Sequence, residues 1–296
     1  MGYQLWTSKA TGYRRRGTRL SELMSTLGGG VVTRAIWEPL KSVPAGMAAT
    51  EARQILAARG FDIAGVQESA NERAIGFVVA QELEAETVSN YLKAFDADRL
   101  ISDSTPVPEL LAVLRHLEHA FVLVGSRVRG IVTRSDLNKP PIRVYLFGLI
   151  SLLEMHLQFW VSNNYTGEEW ENLLAEGRLA PARELCVERQ RRDEEVTLLD
   201  CVQFCDKASL VISSPGMITR LGLSSKKKAT SLLGRAERLR NNLAHSQLDL
   251  VQGTTWEKLI DLVEAIQALV YRSDDMIEED VRGLRERDAE EMWVAG

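Results

Sequence analysis

Gly130-Ile131-Val132-Thr133-Arg134-Ser135-Asp136-Leu137 is the stretch whose reading decides the fold. Its apolar start reads as the end of a buried strand, and a hydroxyl, a cation and a carboxylate follow where the strand gives way to a helix. Working backwards, the stretch closes an internal repeat. Glu51, Ile55, Leu56, Ile63 and Val66 align with Glu109, Val113, Leu114, Phe121 and Val124, each 58 residues on. After a loop four residues longer in the first copy (Glu68–Arg73), Gly76, Phe77, Val78 and Leu83 align with Gly130, Ile131, Val132 and Leu137. Each copy reads helix, strand, loop, strand, helix, with helices over 48–58 and 108–118 and strand pairs 63–67 with 75–79 and 121–124 with 128–133. Neither copy is large enough to bury its own core, so the two are expected to pack about a pseudo-twofold axis.

The closing segment resembles the Gly-hydrophobic-x-Thr/Ser-x-x-Asp motif of CBS domains, the cystathionine β-synthase type of regulatory module that occurs in pairs. The resemblance implies a tandem CBS (βαββα) pair over residues 35–139 with clefts for adenine nucleotides. Carried onto this chain, Thr133 binds phosphate, Asp136 binds the ribose hydroxyls, and Arg134 adds positive charge. The first copy departs from the motif, with Val79 in place of Thr133 and Glu82 in place of Asp136, so the Thr133/Asp136 cleft is the one expected to be filled. The alternative is a pair with empty clefts that acts as a structural or dimerising spacer.

Lys139-Pro140-Pro141 marks a boundary, because two prolines stop one helix and can begin the next. Beyond it, residues 140–296 read as an all-α bundle. A long apolar helix is expected over 142–165 with Glu154 in its middle, paired inside the bundle or facing a site. Further helices are expected over 168–174, 182–193, 198–212, 217–221, 226–244 and 256–272, with an acidic helix-prone tail over 274–291.

Within the helix over 226–244, Ala236, Leu239, Leu243 and Ala244 recur at helical spacing beside Arg240, Asn241 and His245. A histidine titrating near neutrality can take a proton from a hydroxyl, an arginine can hold the charge of a phosphorane, and an asparagine can orient either. RNA supplies its own nucleophile in the 2′-hydroxyl, so such a site needs no metal. The plainer reading is an arginine-rich helix whose terminal histidine favours the helix dipole. Arg240 and His245 lie roughly 140° apart around an ideal helix, so they meet on one phosphate if the helix loosens near Ala244 or if two chains face each other. Lys226, Lys227, Lys228 and Arg238 form a local basic excess, read either as an RNA-binding face or as a solvated one.

The segment Arg240-Asn241-Asn242-Leu243-Ala244-His245 resembles the Arg-polar-x-x-x-His motif of the HEPN family, the higher eukaryotes and prokaryotes nucleotide-binding domains. The resemblance implies a HEPN-like bundle that acts as a metal-independent endoribonuclease with its site formed across a homodimer. His245 is then the general base, Arg240 stabilises charge and Asn241 orients.

A net charge of −5 over 296 residues argues against broad binding to polyanions, and 45% hydrophobic with 26% charged residues is ordinary for a globular protein. Cys186, Cys201 and Cys205 read as buried free thiols rather than a disulfide or zinc set, the last two being four apart on one expected helix. No metal site is expected, His116 and His119 lacking companion ligands. The start shows no secretory signal, and the apolar run over 144–153 is too short to span a bilayer, so a cytoplasmic protein without membrane contact is expected. Residues 1–34 read as a basic arm (Lys9, Arg14, Arg15, Arg16, Arg19) with a short helix over 20–27. Gly28-Gly29-Gly30 lacks the Lys-Ser/Thr of a P-loop.

The combined expectation is an α+β chain: a basic arm (1–34), a tandem CBS regulatory pair (35–139) and a HEPN-like helical bundle with an acidic C-terminal helix (140–296). It describes an adenine-nucleotide-regulated, metal-independent endoribonuclease that leaves 2′,3′-cyclic phosphate ends, as a stress or anti-phage toxin. No cofactor is required beyond a regulatory adenine nucleotide, and an antitoxin or nucleotidyltransferase is a candidate partner. The rival expectation is a non-catalytic dimerisation or docking module.

Overall fold

The computed structural model describes residues 6–7, 14–15, 19–69, 72–245 and 249–294, the description of 6–7, 14–15, 27–28, 278 and 280–294 being of backbone alone. Lys9 and Arg16 of the basic arm lie outside the described residues. The elements are β1 (Trp6–Thr7), β2 (Arg14–Arg15), α1 (Leu20–Leu23) with a π-turn over Met24–Gly28, β3 (Glu38–Pro39), β4 (Ser42–Pro44), α2 (Ala49–Ala58), β5 (Ile63–Gln67), β6 (Gly76–Val79), β7 (Leu100–Ser102), α3 (Val107–His116), β8 (His119–Val124) and β9 (Arg127–Thr133). Helices follow: α4 (Pro140–Asn164), α5 (Glu176–Gln190), α6 (Leu198–Cys201), α7 (Phe204–Ser213), α8 (Pro215–Arg220), α9 (Lys226–Ala244) and α10 (Trp256–Val294). Two compact units result: Gly28–Arg143, and Met1–Leu27 together with Val144–Gly296. These units divide at 27/28 and 143/144.

The first unit holds two sheets, β4-β5-β6 and β3-β9-β8-β7. In each repeat a leading strand runs parallel to the next (β4 to β5, β7 to β8) across a helix, and a hairpin adds the third. The residue pattern did not show the leading strands, although the βαββα order of the resemblance implies one in each copy. The closing helices were expected, and short 3-10 turns stand in their place, over Ala80–Glu82 and Arg134–Asn138.

Register corrects the repeat alignment. Ile63 pairs with Val79 as His119 pairs with Thr133, and Ser42 pairs with Gly65 as Leu100 pairs with Phe121. The structural counterpart of Ile63 is thus His119, not Phe121. The cores agree, since Ala64 and Val66 are fully buried like Ala120 and Val122. The four extra residues of the first copy are split, two after α2 and two in the hairpin. After α2, Phe61 N bonds Leu56 O and Gly60 N bonds Ala57 O, with Gly60 at φ 67, a glycine cap that takes extra chain. After α3, Leu117 is already extended. A shift of two residues keeps every side chain on its face of the sheet, so the apolar pattern cannot reveal it.

Each third strand is also met by the segment that precedes the other repeat. Glu38 and Pro39 of β3 pair with Ile131 and Gly130, while Phe77 exchanges backbone hydrogen bonds with Lys93. The glycines at these crossings are required by close approach. A Cβ on Gly130 would enter the Trp37 ring, and one on Gly76 would collide with the Lys93 carbonyl. Phe77 of the first repeat meets Phe121 of the second at 4.7 Å between ring centroids, with Phe95 and His119 completing the aromatic cluster.

The second unit is helical. α4 buries Tyr145, Leu146, Leu149, Ile150, Leu153, Leu157 and Trp160. At 25 residues it is long and apolar enough to cross a membrane by length and composition, a correction to the narrower count over 144–153, yet 56% of its most apolar window is buried in the fold. Its polar residues are paired: Glu154 with Lys207 of α7 at 3.1 Å, and His156 with Ser273 of α10. The expected helix over 198–212 breaks at Val202 and Gln203, both extended, so Cys201 and Cys205 stand on different helices. α5 begins six residues earlier than expected and carries Pro181 within it. α10 does not stop at Arg272 but continues to Val294 through the acidic tail. α1 belongs to this unit: Leu20 N donates to Asp274 Oδ2 at 2.9 Å, and Tyr145 OH donates to Met24 Sδ at 3.4 Å.

Candidate functional sites

The end of β9 carries the first candidate. Thr133 N and Thr133 Oγ1 both donate to Asp136 Oδ2, at 2.7 and 2.9 Å, a capping box that starts the 3-10 turn. Asp136 is buried, and its other oxygen takes Lys139 Nζ at 2.8 Å. Lys139 also reaches Glu38 and the Ile36 carbonyl. Burial pulls the Lys139 ammonium down, but the hydrogen bonds to Asp136 and Glu38 outweigh it and raise its pKa above the usual lysine value. Arg134 lies at the C-terminus of α3, donating to the carbonyls of Leu114 at 2.9 Å, Leu117 at 3.2 Å and Arg115 at 2.9 Å. The three residues expected together are therefore adjacent, but Arg134 points its guanidinium at a helix end and Asp136 is held by a lysine that sequence reasoning missed. In the first repeat, Glu82 is exposed and paired with Lys93 at 2.6 Å.

His119, weighed in the sequence only as a metal ligand, has surroundings that the sequence did not reveal. Its Nε2 lies 3.2 Å from Arg99 Nη1, and its ring packs edge-on against Phe77 and Phe121. Burial, with the Arg99 charge beside it, pushes its pKa down to about 4.

The second candidate lies on α9. Ser225 caps it, its hydroxyl accepting from Lys228 N at 3.2 Å, and Ala229, Leu233, Ala236 and Leu239 bury one stripe. Lys226, Lys227 and Lys228 crowd the first turn and are exposed. Positive charge there opposes the helix macrodipole, at a few tenths to about 1 kcal/mol per residue. Helix stability therefore does not account for them. The helix stays regular through Ala244, and His245 is its C-cap, its N–H bonded to Asn241 O at 2.9 Å. It does not loosen to bring Arg240 round to His245. Arg240 and His245 are exposed, Asn241 is half-buried, and Arg240 Nη1 approaches Asn241 Oδ1 at 3.4 Å. Asn241 is near Arg240 in space and, four residues before His245, on the same face of the helix. Arg238, grouped with the lysines in the sequence reading, is exposed and shares that face, three and seven residues before Asn241 and His245. The lysine turn and His245 lie at opposite ends of α9, about 27 Å apart.

No protein-family model matches the chain, and no curated protein matches it. Among solved structures, part of the chain is similar to the CBS domain of the bacterial CNNM/CorC family Mg2+ transporter in complex with ATP, at 15% identity over 42% of this chain and 94% of that one, with a TM-score of 0.34. It is likewise similar to CBSX2 in complex with AMP, at 15% identity over 39% of this chain and 98% of that one, with a TM-score of 0.33. A third is an uncharacterized conserved protein from Pyrococcus horikoshii, at 16% identity over 37% and 90%, with a TM-score of 0.32.

Proposed function

We propose that the chain is a metal-independent endoribonuclease of HEPN type governed by a CBS pair that takes an adenine nucleotide. The observation that carries the catalytic half is the exposed end of α9, where Arg240 meets Asn241 and His245 caps the helix one turn on. His245 takes the 2′-hydroxyl proton, and Arg240 holds the developing phosphorane charge with Asn241 between them. Because α9 stays regular, a second copy of the chain completes the site, the Arg240 of one subunit facing the His245 of the other. The lysine turn attracts the RNA backbone from the far end of the helix.

The regulatory half is supported by the doubled parallel-strand, helix, hairpin repeat and by the Thr133/Asp136 box at the end of its last strand. A nucleotide entering there displaces Lys139 from Asp136, so the ligand competes with the Lys139–Asp136 contact. An alternative is a docking module without catalysis, favoured by the angular separation of Arg240 and His245 in one chain. Incubating the full chain with RNA in excess chelator decides between them. Cleavage by wild type and none by His245→Ala supports the enzyme, whereas no cleavage, or cleavage that needs magnesium, favours docking.

A further inference from the structure

Arg99 carries a charge that no carboxylate among the described residues hydrogen-bonds or ion-pairs. It ends a 3-10 turn over Ala97–Arg99 and leads into β7, whose Leu100 pairs in parallel with Phe121 of β8. That register brings the guanidinium to the first residue of β8, where Arg99 Nη1 lies 3.2 Å from His119 Nε2. An arginine only donates, so Nε2 accepts, and the neutral imidazole carries its proton on Nδ1. Both side chains belong to half-buried residues, and the His119 ring packs edge-on against Phe77 and Phe121.

Other cations of this unit have stronger acceptors. Arg134 caps the carbonyls of α3, Lys139 is shared by Asp136 and Glu38, and Arg34 pairs with Asp103 at 2.7 Å. Asp96, Asp98 and Glu118 are near Arg99 and His119 in sequence, but they are exposed, and among the described residues none is hydrogen-bonded or ion-paired to either side chain. Arg99 thus spends one donor on a neutral nitrogen and keeps the rest of its fork for another acceptor. A guanidinium drawn partly out of water beside a second basic group is stabilised by an anion, and its planar fork matches phosphate oxygens.

This pair stands beside Thr133. His119 and Thr133 are direct partners across β8 and β9, so their side chains leave the sheet on one face, with Cβ atoms about 5 Å apart. Thr133 itself has no donor left for a phosphate, because its N–H and its hydroxyl both go to Asp136 Oδ2. We propose, building on the nucleotide-sensing reading, that Arg99 and His119 form an anion seat in the second repeat and hold the phosphate of the bound nucleotide, the part that the motif assigns to Thr133 and Arg134. In the first repeat Ile63 and Val79 take the places of His119 and Thr133, both apolar, so the seat belongs to the second repeat.

A seated oxyanion accepts from the remaining donors of Arg99 and offsets its charge. Burial first, and that charge second, push the His119 pKa down to about 4, and the anion relieves the second cause. A ligand without a phosphate gains nothing from either residue. The seat therefore favours a nucleotide over its nucleoside, by about ten- to hundred-fold for one or two charge-assisted hydrogen bonds.

Calorimetry on the full chain with AMP and adenosine, joined to proton NMR of the histidine rings with inorganic pyrophosphate, tests this. AMP should bind about ten- to hundred-fold more tightly than adenosine. Arg99→Met should erase that preference and leave adenosine binding unchanged, while Arg129→Met, which removes an exposed arginine of β9, should keep it. Pyrophosphate should shift the His119 ring resonances in wild type and not in Arg99→Met, a readout that needs no adenine site. Equal binding of AMP and adenosine by wild type overturns the anion seat and leaves the nucleotide reading standing. If neither binds, that reading falls, and the seat is upheld by the pyrophosphate shift or overturned by its absence. A folded Arg99→Met that loses AMP and adenosine alike, or an Arg129→Met that loses the preference as fully, also overturns the seat.

Discussion

The Glu154–Lys207 pair sets up an asymmetric test. Lys207 is 3% exposed on α7, while Glu154 on α4 keeps 26% of its side chain in solvent, and the two meet at 3.1 Å. Glu154→Met strands an ammonium in the bundle by removing the carboxylate it pairs with. Breaking a buried pair in this way costs about 3–5 kcal/mol. Lys207→Met leaves a carboxylate that can turn toward water, and the methionine fills the lysine's path. The expected cost is about 1–2 kcal/mol, the lower end of leaving a polar group unsatisfied. The double variant replaces the pair by apolar side chains of similar length and should recover to within about 1 kcal/mol of wild type. Urea unfolding followed by far-UV circular dichroism measures all four proteins. Glu154→Met no worse than Lys207→Met, or a double variant worse than either single one, would refute the reasoning.

Other outcomes follow from particular contacts. The unit over 28–143 should lose stability as the pH drops from about 6.5 toward 4, because the unfolded His119 binds a proton that the folded one refuses; His119→Phe should flatten that limb in a thermal-melt pH series. Gly130→Ala should destabilise through collision with the Trp37 ring, by about 1–3 kcal/mol, whereas Gly234→Ala in α9 meets nothing and should stabilise by up to about 1 kcal/mol, both read by urea midpoints. If the ribonuclease reading holds, Arg240→Ala should slow cleavage at saturating RNA by a hundred-fold or more. Arg238→Ala should act mainly on KM, and neutralising Lys226–Lys228 should flatten the salt dependence of RNA binding.

Composition and periodicity by themselves determined much of this protein. The double repeat was legible because Leu56 with Leu114 and Leu83 with Leu137 must be buried in each copy, and burial writes the same spacing twice. The helix over 226–244 was legible to the residue, since Ser225 caps one end and the apolar stripe stops before His245. The Arg240, Asn241 and His245 motif was visible for the same reason, as a local pattern on one helix. Tertiary structure alone decided the rest. The register of His119 against Ile63 was invisible because a two-residue shift preserves the face of every strand residue. The leading strands β4 and β7 are three residues each, too short to show a period, and exist because β5 and β8 offer a parallel edge. Lys139 on Asp136, Arg134 on the end of α3, and Asp274 on the first amide of α1 join residues whose pairing no local pattern records. Spacing along the chain reports which face a side chain takes; which buried charge answers another depends on where the folded chain brings them together.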